Sequence, residues 1–134
     1  MTKNYKIIVA HPDDEAIFFS SIVKSASEII FCFNKTKDNT VSLGREKIKK
    51  KLPLKNFSFL DLTEADVFNT ANWENPVDSL EGIKIKKNRA KYRQNFLELK
   101  LHLSKKINIG DTIYTHNPWG EYGHEDHIQV FKAI

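Results

Sequence analysis

The feature that most constrains this chain is an apolar run that ends abruptly in a histidine, a proline and three acids, at residues 7–15. The run itself, residues 7–10, predicts a short buried strand. Pro12 fixes its own φ and disfavours helical conformation at His11, so the strand ends there and a helix can begin within a residue or two. The helix dipole favours acids in a first turn, but three adjacent carboxylates repel one another, and a bound cation would relieve that repulsion.

His11 and Asp14 stand three residues apart across this strand-to-helix turn. The spacing lets an imidazole nitrogen and a carboxylate oxygen reach one ion, and zinc accepts both types of ligand. Asp13 would remain beside the ion as a free base. An ordinary acidic helix start with a surface histidine fits the same residues, so the interpretation depends on a second cluster.

The second cluster lies near the other end of the chain and repeats this arrangement. A short apolar segment at residues 112–115 runs into a glycine-broken loop that carries three of the five histidines, His116, His124 and His127. If a helical turn begins just after His124, then His124 and His127 share one face, because residues three apart on a helix are neighbours. One of them could then bind metal while the other faces a substrate.

Strand and helix patterns alternate along the chain. Strands are predicted at residues 7–10, 28–33, 57–62 and 111–115, and helices at 16–26, 41–52, 86–106 and 126–134. Such alternation favours an α/β fold, a parallel sheet with helices on both faces. Right-handed crossovers place the carboxyl ends of all strands on one edge, and the two clusters meet there if the first and fourth strands are neighbours. The irregular residues 62–84 have a length typical of a binding or lid segment.

Length and composition exclude several classes of protein. The 134 residues are expected to form one domain over residues 1–134. The single cysteine, Cys32, cannot form an internal disulfide, no signal peptide is evident and no apolar segment is long enough for a membrane span, so we expect a cytoplasmic protein. The basic residues 83–93 lack interleaved aromatics beyond Tyr92, and we expect a solvated helix face with no nucleic-acid partner. No Gly-x-Gly-x-x-Gly follows the first strand, which argues against a dinucleotide.

Together these residues resemble the LmbE-like and PIG-L family of metal-dependent N-deacetylases. The resemblance is carried by Ala-His-Pro-Asp-Asp-Glu at residues 10–15 and by Gly-His-Glu-Asp-His at residues 123–127. Arg45 and Glu46, on the predicted helix 41–52, resemble the family's arginine-bearing helix. The resemblance implies a Rossmann-like, three-layer domain with a mainly parallel sheet and a C-terminal end that is short relative to the family.

The resemblance also implies an activity and a set of site residues. The implied reaction is hydrolysis of the acetyl group from an N-acetylglucosamine-type sugar or a related amide, with Zn²⁺, or another divalent metal such as Fe²⁺, as cofactor. The metal ligands would be His11, Asp14 and His127. Asp13 would be the general base, while His124, oriented by Asp126, would stabilise the oxyanion or protonate the leaving amine. Four residues would contact the substrate, Arg45, Asn117, Trp119 and Tyr122, and His116 could also shape the sugar site.

Several alternatives fit the same residues. Another metallohydrolase reaction, such as phosphoester cleavage, would be expected to need two metals and more carboxylates. A binding domain without activity, or with weak activity, could retain the motif. Apolar residues in the terminal helix, Ile128, Val130, Phe131 and Ile134, are expected to pack partly on the sheet and partly at a subunit contact, which predicts a homo-oligomer.

Overall fold

The computed structural model describes residues 4–134, which form an α/β fold built on a four-stranded sheet. Its strands are β1 (Tyr5–Val9), β2 (Glu28–Lys35), β3 (Phe57–Thr63) and β6 (Thr112–Tyr114), and a separate two-stranded hairpin consists of β4 (Asp78–Ser79) and β5 (Gly82–Ile83). The helices are α1 (Asp14–Phe18), α2 (Asn39–Lys51), α3 (Arg89–Ser104) and α4 (Glu125–Ala133), with a 3₁₀ turn at Val23–Ser25. The predicted α/β fold with a mainly parallel sheet is therefore confirmed.

The strand order is β3-β2-β1-β6, and each pair of neighbours is parallel. Ile7 of β1 pairs with Ile29 of β2 on one side and with Tyr114 of β6 on the other. The first and the last strand of the sheet along the chain are thus adjacent, as the meeting of the two clusters required. The residues that follow β1 and β6 consequently emerge side by side at the carboxyl edge of the sheet.

Both faces of the sheet are covered, and residues along its central strands belong alternately to two hydrophobic clusters, one on each face. On one face, Ile8 and Ile30 pack with Leu99 and Leu103 of α3 and Val130 of α4. Cys32, fully buried with a free thiol, belongs to this face. A second hydrophobic cluster lies on the opposite face, where residues between β1 and β2 and residues before β3 pack on the strands. Its members are Tyr5, Ile7, Val9, Ile29, Phe31, Phe19, Ile22, Val23, Ala26, Leu52, Leu54, Phe57 and Phe59.

The predicted helix at residues 16–26 is wrong in extent. Helix α1 ends at Phe18, and a turn through Ser20 and Ser21 leads to the 3₁₀ segment. Adjacent serines favour such a turn because their hydroxyls compete for backbone hydrogen bonds. The predicted start of α3 at residue 86 is also too early, since Asn88 adopts a left-handed φ of 54° just before the helix.

The irregular segment between β3 and α3 packs against helices α3 and α4. Ala65, Val67 and Ala71 form a small hydrophobic cluster with Tyr92 of α3 and Ile128 of α4. The hairpin β4-β5 contacts α4 as well. This segment is therefore a packed wall beside the carboxyl edge of the sheet.

Helix α4 packs against the domain through part of its apolar set. Ile128 and Val130 are buried, whereas Phe131 is 37% and Ile134 is 43% exposed. The division agrees with the expectation for this helix, and association between copies of the chain stays a prediction. Among residues 4–134, no helix combines the length and the apolar character needed to cross a membrane.

Candidate metal centre

The site forms where β1 and β6 end next to each other. His11 follows β1, and the backbone N–H of Ala10 donates a hydrogen bond to Nε2 of His116 at 2.9 Å. The hydroxyl of Thr115 donates to the carbonyl of Ile8 at 2.8 Å. These two bonds fix the loop after β6 against the end of β1, so the two sequence clusters form one site.

Asp14 occupies the centre of this site. Its Oδ2 atom lies 3.4 Å from Nδ1 of His11 and 3.4 Å from Nε2 of His127. The same oxygen accepts a hydrogen bond from the backbone N–H of His11 at 2.8 Å. All three side chains are buried. The structure thus brings together the three residues that the sequence suggested as metal ligands.

His11 and His127 each have a carboxylate next to the ring nitrogen that does not face Asp14. Nε2 of His11 lies 3.0 Å from Asp126 Oδ2 and 3.2 Å from Glu64 Oε1, and Nδ1 of His127 lies 2.8 Å from Glu121 Oε2. An ionised carboxylate only accepts hydrogen bonds, so the facing ring nitrogen carries the proton of a neutral imidazole. In the neutral rings the other nitrogens, Nδ1 of His11 and Nε2 of His127, which lie farther from a carboxylate at 3.4 Å, then have lone pairs directed towards Asp14. Carboxylate–histidine pairs of this kind orient metal ligands in many proteins.

The buried polar atoms of the site fit a metal ion. Nε2 of His127 is buried and has no hydrogen-bond partner among the described residues. A buried imidazole lone pair without a partner is costly, and a cation bound beside Asp14 would satisfy it. Two imidazole nitrogens and one carboxylate oxygen are the donors of many catalytic zinc sites and of iron(II) facial triads.

Three groupings of the described residues place possible ligand atoms all within 4.8 Å of one another, namely His11, His124 and His127; Asp14, His116 and His127; and His11, Glu64 and Asp126. The set His11, Asp14 and His127 is not one of them, although Asp14 lies 3.4 Å from both histidines. The hydrogen bonds argue against the residues that distinguish these groupings. Nε2 of His116 already accepts from Ala10, and Nδ1 of His124 accepts from the backbone N–H of Asp126 at 3.2 Å. Glu64 is paired with the Arg45 guanidinium. In the set His11, Asp14 and His127, by contrast, Nδ1 of His11 and Nε2 of His127 take no part in these hydrogen bonds.

The charges of the site reinforce one another. Burial by itself would raise the pKa of Asp14, but the neighbouring imidazole rings of His11, His116 and His127 hold that pKa well below its usual range. Burial likewise disfavours the charged form of His11, yet the neighbouring carboxylates of Asp126, Asp14 and Glu64 raise its pKa well above the ordinary value. Binding of a metal ion to Nδ1 of His11 would therefore release a proton from this ring. Asp14 is thus ionised, as a metal ligand must be.

Asp13 lies beside these ligands but differs from them. It is exposed, its φ is 125°, and its backbone N–H donates to Glu15 Oε2 at 2.9 Å. Although the residue as a whole is exposed, partial burial of its carboxyl group, followed by the charge of Asp14, raises the pKa of Asp13 above the usual value. Its carboxylate is accordingly a better proton acceptor than that of a free aspartate.

His124 stacks on His127, with ring centroids 4.6 Å apart and planes 5° from parallel. Burial, and then the nearby charge of His11, lower the pKa of His124 to about 4. Because its Nδ1 accepts a hydrogen bond from Asp126, the proton of this neutral ring is on Nε2. The carboxylate of Asp126, which we expected to orient His124, lies instead on His11.

Of the four residues suggested as substrate contacts, two are engaged in other contacts and two line a cavity. Arg45 reaches the site only through Glu64, and the side chain of Asn117 accepts from the backbone of Trp119 and Glu121 in its own loop. Trp119 and Tyr122 are 63% and 65% exposed. Both line a cavity of about 470 Å³ whose other walls include Trp73, Pro118, Glu121 and the β4-β5 hairpin. The cavity shares Glu121 and Tyr122 with the polar site, while the histidines do not line it.

Three acidic residues of the site were missed by sequence reasoning. Glu64 follows β3, Glu121 lies in the loop after β6, and Glu125 begins α4 and accepts hydrogen bonds from the backbone of residues 69–71. The position of Glu64 after a parallel strand was a usable signal, since such ends meet at one edge of the sheet. Glu121 lies among loop residues without a period, and nothing in the sequence marked it.

Comparisons with known proteins agree with this fold. Residues 6–134 match the PIG-L family, described as GlcNAc-PI de-N-acetylase. No curated protein matches the chain in sequence. The chain is similar in structure to an N,N'-diacetylchitobiose deacetylase from Pyrococcus horikoshii complexed with its inhibitor MPG, with 17% identity and a TM-score of 0.53.

That similarity covers 98% of this chain and 48% of the deacetylase, so the chain spans about half the length of that protein. At this level of identity the likeness shows the fold alone. The family match extends over nearly all of the chain, from residue 6 to residue 134. The chain therefore belongs to the PIG-L family.

Proposed function

We propose that this chain is a metal-dependent N-deacetylase, which hydrolyses the acetyl group from an N-acetylglucosamine-type sugar or a related amide. One observation carries the proposal: Oδ2 of Asp14 lies 3.4 Å from Nδ1 of His11 and 3.4 Å from Nε2 of His127, and Asp13 precedes Asp14 in the chain. Membership of the PIG-L family and the structural likeness to a chitobiose deacetylase support the same reaction.

His11, Asp14 and His127 would hold the ion, with Zn²⁺ as the first candidate and Fe²⁺ as the second. A divalent ion in such a site supplies Lewis-acid chemistry, which polarises an amide carbonyl and lowers the pKa of water. Hydrolysis at one site needs only three protein ligands, so a coordination position stays open. A two-metal phosphoesterase would need a second set of free ligands, and the neighbouring carboxylates are already paired with His11, Arg45 and His127.

Asp13 and His124 would divide the proton transfers and the stabilisation of charge. Asp13 would take a proton from the attacking water and return it to the leaving amine, so that the acetyl group leaves as acetate. His124 is neutral near pH 7, because its pKa is about 4, and carries its proton on Nε2. That N–H can donate a hydrogen bond to the oxyanion of the tetrahedral intermediate, which favours this role over protonation of the amine.

The aromatic cavity beside the site would receive the body of the sugar. Trp119 and Tyr122 offer exposed ring faces, and sugars present apolar C–H faces that pack on such rings. Glu121 and Asp78 add carboxylates to the lining, which can accept hydrogen bonds from hydroxyl groups. Because the histidines do not line the cavity, the acetamide itself would lie outside it, at Asp13 and Asp14.

The test is release of a free amine from a panel of N-acetyl sugars, measured for metal-loaded protein and for the same protein after chelation. Amine release that depends on metal is expected for at least one amino sugar. A protein that binds zinc and the sugars but releases no amine would instead support the alternative, a binding domain that retains the motif. A protein that does not bind a divalent metal would contradict both.

A further inference from the structure

We propose that Glu121 is a positioning residue that fixes the tautomer of His127 and so presents Nε2 of that histidine to the metal. The inference rests on the proposed metal site, but it concerns the chain's own hydrogen bonds. It also assigns a function to a buried histidine, His116, which the proposed reaction leaves without one.

One carboxylate oxygen of Glu121 lies close to two histidines. Oε2 of Glu121 lies 2.8 Å from Nδ1 of His127 and 3.2 Å from Nδ1 of His116. The two rings stack with centroids 3.8 Å apart and planes 16° from parallel. Both side chains are fully buried, so water cannot replace the carboxylate. The hydrogen bond with Glu121 therefore determines which nitrogen of the neutral His127 ring carries the proton.

The tautomer of His116 follows from a separate hydrogen bond. Its Nε2 accepts the backbone N–H of Ala10 at 2.9 Å, which requires a lone pair at Nε2 and a proton at Nδ1. That proton faces Glu121 Oε2, the same oxygen that faces His127. Nδ1 of His116 lies 3.2 Å from this oxygen without the geometry of a hydrogen bond, whereas Nδ1 of His127 makes one at 2.8 Å. In the neutral ring, Nε2 of His127 is then left with a lone pair, which agrees with its lack of a partner among residues 4–134.

Backbone geometry holds Glu121 in place. Its N–H donates to Oδ1 of Asn117 at 2.8 Å, and its Oε1 accepts from the N–H of Asn117 at 2.9 Å. The preceding Gly120 has a φ of 71°, and a Cβ at that position would lie 2.5 Å from the carbonyl oxygen of His124. Only glycine permits this close turn, which brings Glu121 back onto the histidines.

Replacing Glu121 by Gln keeps the shape of the side chain but removes one of its two hydrogen-bond-accepting oxygens. An amide has one oxygen, which can accept either from Asn117 or from the histidines. If the oxygen stays on Asn117, the NH₂ group faces Nδ1 of His127 and favours a proton at Nε2. The protonated Nε2 would then face Asp14 and could not bind metal.

The experiment uses the long-range ¹H–¹⁵N spectrum of the histidine rings, recorded for the metal-free protein at a pH where His127 is neutral. We expect His127 and His116 to show the Nδ1–H tautomer. In Glu121→Gln, a substantial fraction of His127 should shift to Nε2–H. Zinc affinity, measured by competition with a chelator, should fall about 10–100-fold, as is typical when the partner of a ligand histidine is lost. Glu74→Gln, at an exposed position outside the site, is the matched control and should change neither quantity.

A wild-type His127 in the Nε2–H form would overturn the inference, as would a Glu121→Gln variant whose tautomer and zinc affinity are unchanged. The wild-type spectrum decides the question even if the variant does not fold. The spectrum needs no metal and no substrate, so its result is separate from the proposed function, which fails if the wild-type protein does not bind a divalent ion.

Discussion

Nε2 of His11 lies 3.0 Å from Oδ2 of Asp126, although 115 residues separate the two in the chain. This contact joins the first motif to the second directly. It exists because α4 begins immediately after His124, which places Asp126 in the first helical turn, facing the end of β1. The second motif thus supplies the residue that orients a proposed metal ligand of the first, and neither motif is a complete site alone.

His127→Ala should remove most of the bound metal, because the variant loses the buried Nε2 that lies 3.4 Å from Asp14. Metal content after dialysis, measured by elemental analysis, checks this. His102→Ala, on α3 and outside the site, is the control and should retain the wild-type stoichiometry. Full metal content in His127→Ala would rule out this residue as a ligand.

Asp13→Asn should leave metal binding intact and lower turnover about 10²–10⁴-fold, the usual contribution of a positioned general base. The amide keeps the shape of the side chain but cannot accept a proton from water. Initial rates of amine release and metal content are measured on the same preparation. Asp66→Asn, at an exposed position that also has a positive φ, should have wild-type activity. Unchanged turnover in fully loaded Asp13→Asn would assign the base to another group.

Glu125→Gln should destabilise the segment that follows β3. Oε1 of Glu125 accepts from the N–H groups of Thr70 and Ala71 at 2.8 Å each, and Oε2 accepts from that of Asn69 at 3.0 Å. An amide nitrogen cannot accept the third bond, and a buried donor without a partner costs about 1–3 kcal/mol. Urea unfolding should show a loss of this size, and limited proteolysis should become faster around residue 70. Equal stability and equal cleavage would show that this carboxylate does not hold the segment.

The sequence predicted the sheet well because local signals and tertiary packing agree there. Ile7 to Ala10 and Ile29 to Phe33 are buried on both faces of a central pair of strands. Continuous apolar runs of this kind are typical of parallel strands that are covered on both faces. The helix predicted at residues 16–26 failed for the opposite reason. Its residues are apolar enough for a helix, but Phe19, Ile22 and Val23 are buried by a turn that lays them on the sheet.

Only the proposed ligands of the site could be predicted from the sequence, because they lie close to the ends of strands. His11 and Asp14 lie directly after β1, and His127 lies in the first turns of α4. The hydrogen-bond partners of these ligands come from loops, and their positions depend on backbone turns without sequence periodicity. Glu121 reaches His127 only because of the turn at Gly120, so its contact could not be predicted from spacing.

Two leucines in α3 offer a test of the packing that supports the site. Leu99 is fully buried in the cluster with Ile8, Ile30 and Val130, whereas Leu97, two residues earlier, is 59% exposed. Leu→Ala makes the same chemical change at both positions and has the same effect on helix propensity, so the difference in stability isolates burial. Leu99→Ala should lower the free energy of unfolding by about 2–5 kcal/mol. Leu97→Ala should change it by no more than about 0.5 kcal/mol. Urea titration followed by circular dichroism measures both, and equal losses at the two positions would contradict the packing of α3 on the sheet.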